Sequence, residues 1–103
     1  GSTMIQGLSA GDENLIRTIL EDFPEVEAAL VFGSRAMGNF KPGSDIDIAL
    51  KGRLDLTTVS RIRARLEEEL PLPQFFDLVA YDLIDHPDLK DHIDHYGCVF
   101  YEK

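Results

Sequence analysis

Gly33-Ser34-Arg35-Ala36-Met37-Gly38-Asn39-Phe40-Lys41-Pro42-Gly43-Ser44-Asp45-Ile46-Asp47-Ile48-Ala49-Leu50 is the stretch whose reading decides the fold. It follows the apolar run Ala29-Leu30-Val31-Phe32 and ends in a second apolar run interrupted at alternate positions by aspartate. The first run reads as a strand, Val26 to Phe32, covered on both faces. Gly33 ends that strand, and Ser34 can cap a short helix running to about Gly38. Asn39 to Ser44, which contains Pro42 and Gly43, reads as an irregular loop. Asp45 to Leu50 alternates strictly, so it predicts a strand with Asp45 and Asp47 on one face and Ile46, Ile48 and Leu50 on the other. The two carboxylates then have backbone anchors about 6–7 Å apart.

Outward from this stretch, Ser9 to Phe23 predicts a helix. Leu15, Ile16, Ile19, Leu20 and Phe23 recur at helical spacing, Asp12 and Glu13 favour the N-terminal end of the dipole, and Pro24 stops the run. Either Ser9 or Asp12 can cap it. Asp55 to Leu70 predicts a second helix with an apolar stripe of Leu56, Val59, Ile62, Leu66 and Leu70. Its arginines, Arg61, Arg63 and Arg65, precede Glu67, Glu68 and Glu69, an order opposed to the helix dipole. Pro71 and Pro73 interrupt the chain, and Phe75 to Tyr81 forms a third strand in which Asp77 breaks an apolar segment. A carboxylate there is costly unless something pairs with it. Pro87 to Tyr96 makes a last helix with Leu89, Ile93 and Tyr96 inward, Pro87 at its first position and Gly97 as its C-terminal cap. Cys98 to Tyr101 closes the chain as a short strand. The order helix, strand, strand, helix, strand, helix, strand predicts an α/β (α+β) domain: a mixed sheet of about four strands with helices packed against it.

The 103 residues suffice for one domain, 4–103, and not for a second substrate-binding domain. Gly1-Ser2-Thr3 ahead of Met4 reads as a cloning remnant. With 44% hydrophobic and 28% charged residues the composition is that of a folded chain. The net charge of −9 argues against direct binding to a nucleic-acid backbone, which needs clustered Lys and Arg. Metal ions can still bring phosphates to an acidic site. A single cysteine, Cys98, excludes an intramolecular disulfide and fits a reduced, cytoplasmic setting; its apolar neighbours place it in the core. No segment has the length and apolarity of a membrane span.

Asp45 and Asp47 on one strand face offer hard oxygen donors to a cation such as Mg²⁺, which keeps other positions for water and substrate phosphates. Asp77 on an adjacent strand would permit a second metal ion, or accept the proton of an attacking hydroxyl. Alone, Asp-Ile-Asp-Ile also describes the polar face of an edge strand, and Asp77 a strand end or an ion pair with arginine. Gly33 lets backbone approach a ligand, and the N–H groups after it, with the Ser34 hydroxyl, can bind phosphate oxygens, although Gly-Ser after a strand is also an ordinary turn and cap. Arg35 and Lys41 can neutralise phosphate or be solvated, and Ser44 can bond the loop backbone or a ligand. His92 and His95 lie one helical turn apart without further ligands nearby and read as a solvated face, and His86 sits at a helix start. The Arg61 to Arg65 face reads as solvated and balanced by the glutamates after it.

Taken together, strand, Gly-Ser, loop, Asp-x-Asp strand, long helix and Asp-bearing strand resemble the nucleotidyltransferase superfamily that includes DNA polymerase beta and kanamycin nucleotidyltransferase. The residues that carry this are Phe32-Gly33-Ser34, ten intervening residues, Asp45-Ile46-Asp47, and Asp77 as third carboxylate. Gly-Ser-Arg-Ala-Met-Gly followed by Ser-Asp-Ile-Asp is similar to the minimal nucleotidyltransferase, or MNT, group, whose members pair with helical HEPN-domain proteins in toxin–antitoxin modules. Met37 departs from that pattern, which often has a basic residue before the glycine. The resemblance implies the nucleotidyltransferase fold and a nucleotide held by Gly33, Ser34, Arg35 and Ser44. It implies Mg²⁺, in a two-metal site, held by Asp45, Asp47 and Asp77, and the same three as catalytic residues. The implied reaction transfers a nucleoside monophosphate, AMP from ATP, to a tyrosine hydroxyl of a HEPN toxin, releasing pyrophosphate and making this chain the antitoxin. The alternative is a nucleotide-binding module without catalysis that neutralises its partner by occlusion.

Overall fold

Among the described residues, three α-helices and four strands follow the expected order: α1 Ala10–Glu21, β1 Val26–Phe32, β2 Ile46–Gly52, α2 Leu56–Glu69, β3 Phe76–Ala80, α3 Pro87–Tyr96 and β4 Cys98–Glu102. The structure, a computed structural model, describes residues 10–33, 46–70 and 76–103. A single 3-10 turn, Tyr81–Leu83, joins β3 to the segment before α3, where the sequence had suggested that the strand continues through Tyr81. The sheet order is β3-β2-β1-β4. β1 is antiparallel to both neighbours, whereas β2 and β3 run parallel, as a strand–helix–strand crossover through α2 permits.

The two faces of the sheet bury separate layers because strand side chains alternate. One face carries Val26, Ala29 and Val31 of β1, Ile46, Ile48 and Leu50 of β2, and Leu78 of β3. It packs under Ile16, Ile19 and Leu20 of α1 and Val59, Ile62 and Leu66 of α2. Each of these large aliphatic side chains contributes about 1.5–3 kcal/mol by leaving water. The opposite face carries Leu30, Phe32 and Ala49 under Ile93 of α3. The continuous apolar reading of β1 is thereby explained: it is an inner strand with helices on both sides.

Local chemistry starts and joins the helices. The Asp55 side chain caps α2 by accepting the Thr58 N–H at 2.7 Å, and Leu70, 2% exposed, ends it. In α1, Glu13 is 1% exposed and ion-paired with Arg17 one turn on. Arg17 Nε also donates to the Phe100 carbonyl at 2.7 Å, fastening α1 to β4 and satisfying charges that would be costly to bury alone. Arg65 joins Glu69 at 2.9 Å and Asp22 at 3.1 Å, so the expected solvated, glutamate-balanced face also touches the end of α1.

Three inward assignments fail at element ends. Leu56 is 75% exposed because, as the first residue of α2, it lies beyond the sheet's cover. Tyr96, the last residue of α3, is 53% exposed. Cys98 is exposed rather than in the core, since it begins an edge strand of which only Phe100 is buried. His86 and Pro87 do open α3, and Gly97 does close it, its N–H donating to the Ile93 carbonyl at 2.8 Å. Among the described residues no helix is long and apolar enough to cross a membrane.

Candidate active site

The strand register brings two of the predicted carboxylates together. Phe32 of β1 is paired with Asp47 of β2, and Asp47 with Asp77 of β3, so these three form one row across three strands. Neighbouring strands lie about 4.8 Å apart, which makes Asp47 and Asp77 immediate neighbours on one face. Two residues along, Leu30, Ala49 and Val79 form the next row on that face. Ile93 and Leu89 of α3 pack in the cluster that includes this apolar row. The carboxylate row lies just beyond that row; Asp47 is half-buried and Asp77 exposed. The cost of Asp77 inside an apolar segment is thus avoided by its exposure.

Gly33 follows Phe32 and adopts φ +76°, a conformation that L side chains rarely take. A Cβ at this position would overlap the Asp47 carboxylate oxygen Oδ2, so hydrogen at the α-carbon is what gives that carboxylate its place. The Gly33 N–H donates to His92 Nε2 at 3.3 Å. His92 also meets the Phe32 ring edge-on, with centroids 6.1 Å apart, and lies 5.2 Å from the Tyr96 ring. It is half-buried, which overturns its reading as part of a solvated face. The spacing 89, 92, 93, 96 was the available signal, since it puts His92 on the inward stripe with Leu89 and Ile93. His95 is exposed, its ring Nδ1 2.8 Å from the Asp91 carbonyl, as expected of a solvated position.

Ser34, Arg35, Met37, Lys41, Ser44 and Asp45, with the expected short helix and loop, lie outside the described residues. Gly33, Asp47 and Asp77 are therefore the predicted site residues that the structure brings together. Among the described residues no three His, Cys, Asp or Glu side chains converge as a metal cluster. Asp47 and Asp77 nevertheless supply hard oxygen donors side by side, which is chemistry suited to Mg²⁺ and unsuited to soft metals. An apolar cavity of about 340 Å³, bordered by Leu56, Val59, Leu78, Leu83, Ile84 and Leu89, contains neither carboxylate and is a separate feature.

A mixed sheet with a glycine turn at the end of one strand and opposed aspartates on the next two defines a nucleotidyltransferase domain. Residues 14–103 match the polymerase beta nucleotidyltransferase family, and the chain belongs to it. Among solved structures, a chain of a toxin–antitoxin complex with AMP-PNP is 26% identical with a TM-score of 0.74, the match covering 88% of this chain and 73% of that one. A chain of the tri-AMPylated Shewanella oneidensis HEPN toxin in complex with MNT antitoxin is 24% identical, TM-score 0.67, covering 89% and 71%. The toxin–antitoxin MntA-HepT gives 23%, TM-score 0.70, covering 92% and 74%. No curated protein matches the sequence.

Proposed function

We propose that this chain is the MNT antitoxin of a toxin–antitoxin pair and transfers AMP from ATP to a tyrosine hydroxyl of a HEPN toxin. The observation that carries the reading is the in-register opposition of Asp47 and Asp77 beside the Gly33 turn. The AMP-PNP in one structural neighbour and the AMPylated HEPN toxin in another support the nucleotide and the acceptor.

Asp45, Asp47 and Asp77 would hold Mg²⁺, which when bound neutralises phosphate charge. Gly33 and Ser34, with Arg35 and Ser44, would hold the triphosphate. Because the Gly33 N–H is engaged by His92, Gly33 serves by its shape. Asp77, the more exposed carboxylate of the described pair, takes the proton of the acceptor hydroxyl. The hydroxyl oxygen bonds to the α-phosphorus as the bond to the bridging oxygen breaks, and pyrophosphate leaves with that electron pair. The rate gain comes from positioning and charge neutralisation. A cytoplasmic site of action follows from such a partner.

The test is intact-mass measurement of the HEPN protein after incubation with this chain, ATP and Mg²⁺. Addition of AMP that disappears with the Asp45→Asn, Asp47→Asn double variant supports the proposal. Stable complex formation and toxin silencing without any added nucleotide would replace it with neutralisation by occlusion.

A further inference from the structure

We infer that His92 is the positioning residue of the nucleotide-binding turn. Its Nε2 accepts the Gly33 N–H at 3.3 Å, across fifty-nine residues of sequence, from a helix that the catalytic carboxylates do not belong to. Gly33 is thereby constrained in two ways: its amide bonds His92, and beside the Asp47 carboxylate its α-carbon has no room for a side chain. The ring is itself fixed by Phe32 on one strand and Tyr96 one turn along α3, so the acceptor nitrogen has a defined direction. An imidazole nitrogen that accepts must be unprotonated, so in the neutral ring the proton resides on Nδ1.

This inference rests on the nucleotidyltransferase reading for its consequence, though not for the contact itself. Two variants separate acceptor from ring. His92→Phe keeps an aromatic ring against Phe32 and Tyr96 and lacks the acceptor, whereas His92→Gln keeps an amide oxygen that can accept. In the full chain, hydrogen exchange at the Gly33 amide should accelerate about tenfold in His92→Phe, the scale of one lost hydrogen bond, and recover in His92→Gln. AMP-PNP with Mg²⁺ should bind about tenfold more weakly to His92→Phe and regain most of its affinity in His92→Gln. Transfer assays should show the same split, with KM for ATP raised more than kcat is lowered. Long-range proton–nitrogen spectra of the wild-type ring should show Nδ1–H. A proton on Nε2 in the neutral ring, or wild-type Gly33 exchange in His92→Phe, overturns the assignment. So does unchanged nucleotide affinity in His92→Phe. If the wild type fails to bind AMP-PNP, the nucleotidyltransferase reading is lost, and Gly33 exchange still decides whether His92 holds the turn.

Discussion

Gly33 and Asp47 share space that a single methyl group would fill: a Cβ on Gly33 would overlap Asp47 Oδ2. The glycine that ends β1 and the carboxylate of β2 are thus one device, made by the Phe32–Asp47 register. Gly33→Ala should cost about 1–3 kcal/mol, combining strain at φ +76° with displacement of the carboxylate. Replacing Asp47 by Ala removes the obstacle, so in that background the cost should fall toward the about 1–2 kcal/mol of backbone strain alone. Urea unfolding of the four proteins in a double-mutant cycle measures the difference, and strict additivity would contradict the contact.

The opposed carboxylates give a second expectation. Addition of Mg²⁺ or Mn²⁺ should raise the unfolding free energy by about 2.7 kcal/mol at a hundredfold excess over the dissociation constant, and chelation should reverse it. Asp47→Asn or Asp77→Asn should each remove most of that gain and slow AMP transfer at least about a hundredfold. Thermal melts with and without metal provide the check. A shift that survives both substitutions would place the metal elsewhere.

Asp55 makes a pH-dependent contribution. The Thr58 N–H, then the Thr58 side chain, hold its carboxyl below the usual carboxylate range. A lowered folded-state value means that the ionised cap stabilises α2 above the unfolded value, and that this is lost as pH falls through the carboxylate range. Between about pH 6 and about pH 3 the thermal midpoint of Asp55→Ala should therefore fall less than that of the wild type, and start lower. Equal slopes for the two proteins would remove the cap from the acid dependence.

Much of this arrangement was legible because it repeats with a short period. Val26–Phe32 and Pro87–Tyr96 are observed with the bounds the sequence indicated, and the alternation of Ile46, Asp47 and Ile48 gave the faces of β2 correctly. Asp77 could be singled out because it interrupts an apolar strand. That it stands opposite Asp47 depends on the parallel register of β2 and β3, which no local pattern encodes. His92 carries a local signal, its place on the stripe with Leu89 and Ile93, but its partner at the end of β1 depends on how α3 packs, which no local pattern encodes. Leu56, Tyr96 and Cys98 mark the limit of periodicity, which continues to the end of an element although its cover stops earlier.

Ile62 and Ile93 are both fully buried but lie on opposite faces of the sheet, so truncating each should do different things. Ile62→Ala opens a cavity in the larger layer and should cost about 2–5 kcal/mol with little effect on the Gly33 turn. Ile93→Ala should cost a similar amount in the smaller layer, where its side chain meets Leu30, Phe32 and Ala49. It should also loosen α3 and, with it, the His92 contact to Gly33. Hydrogen exchange under native conditions distinguishes the two, because local opening exposes only the elements that lose their packing. Accelerated exchange at the Gly33 amide in Ile93→Ala, beyond that in Ile62→Ala at matched global stability, is the expected result. Matching exchange in the two variants would mean that α3 does not hold the turn independently of the main core.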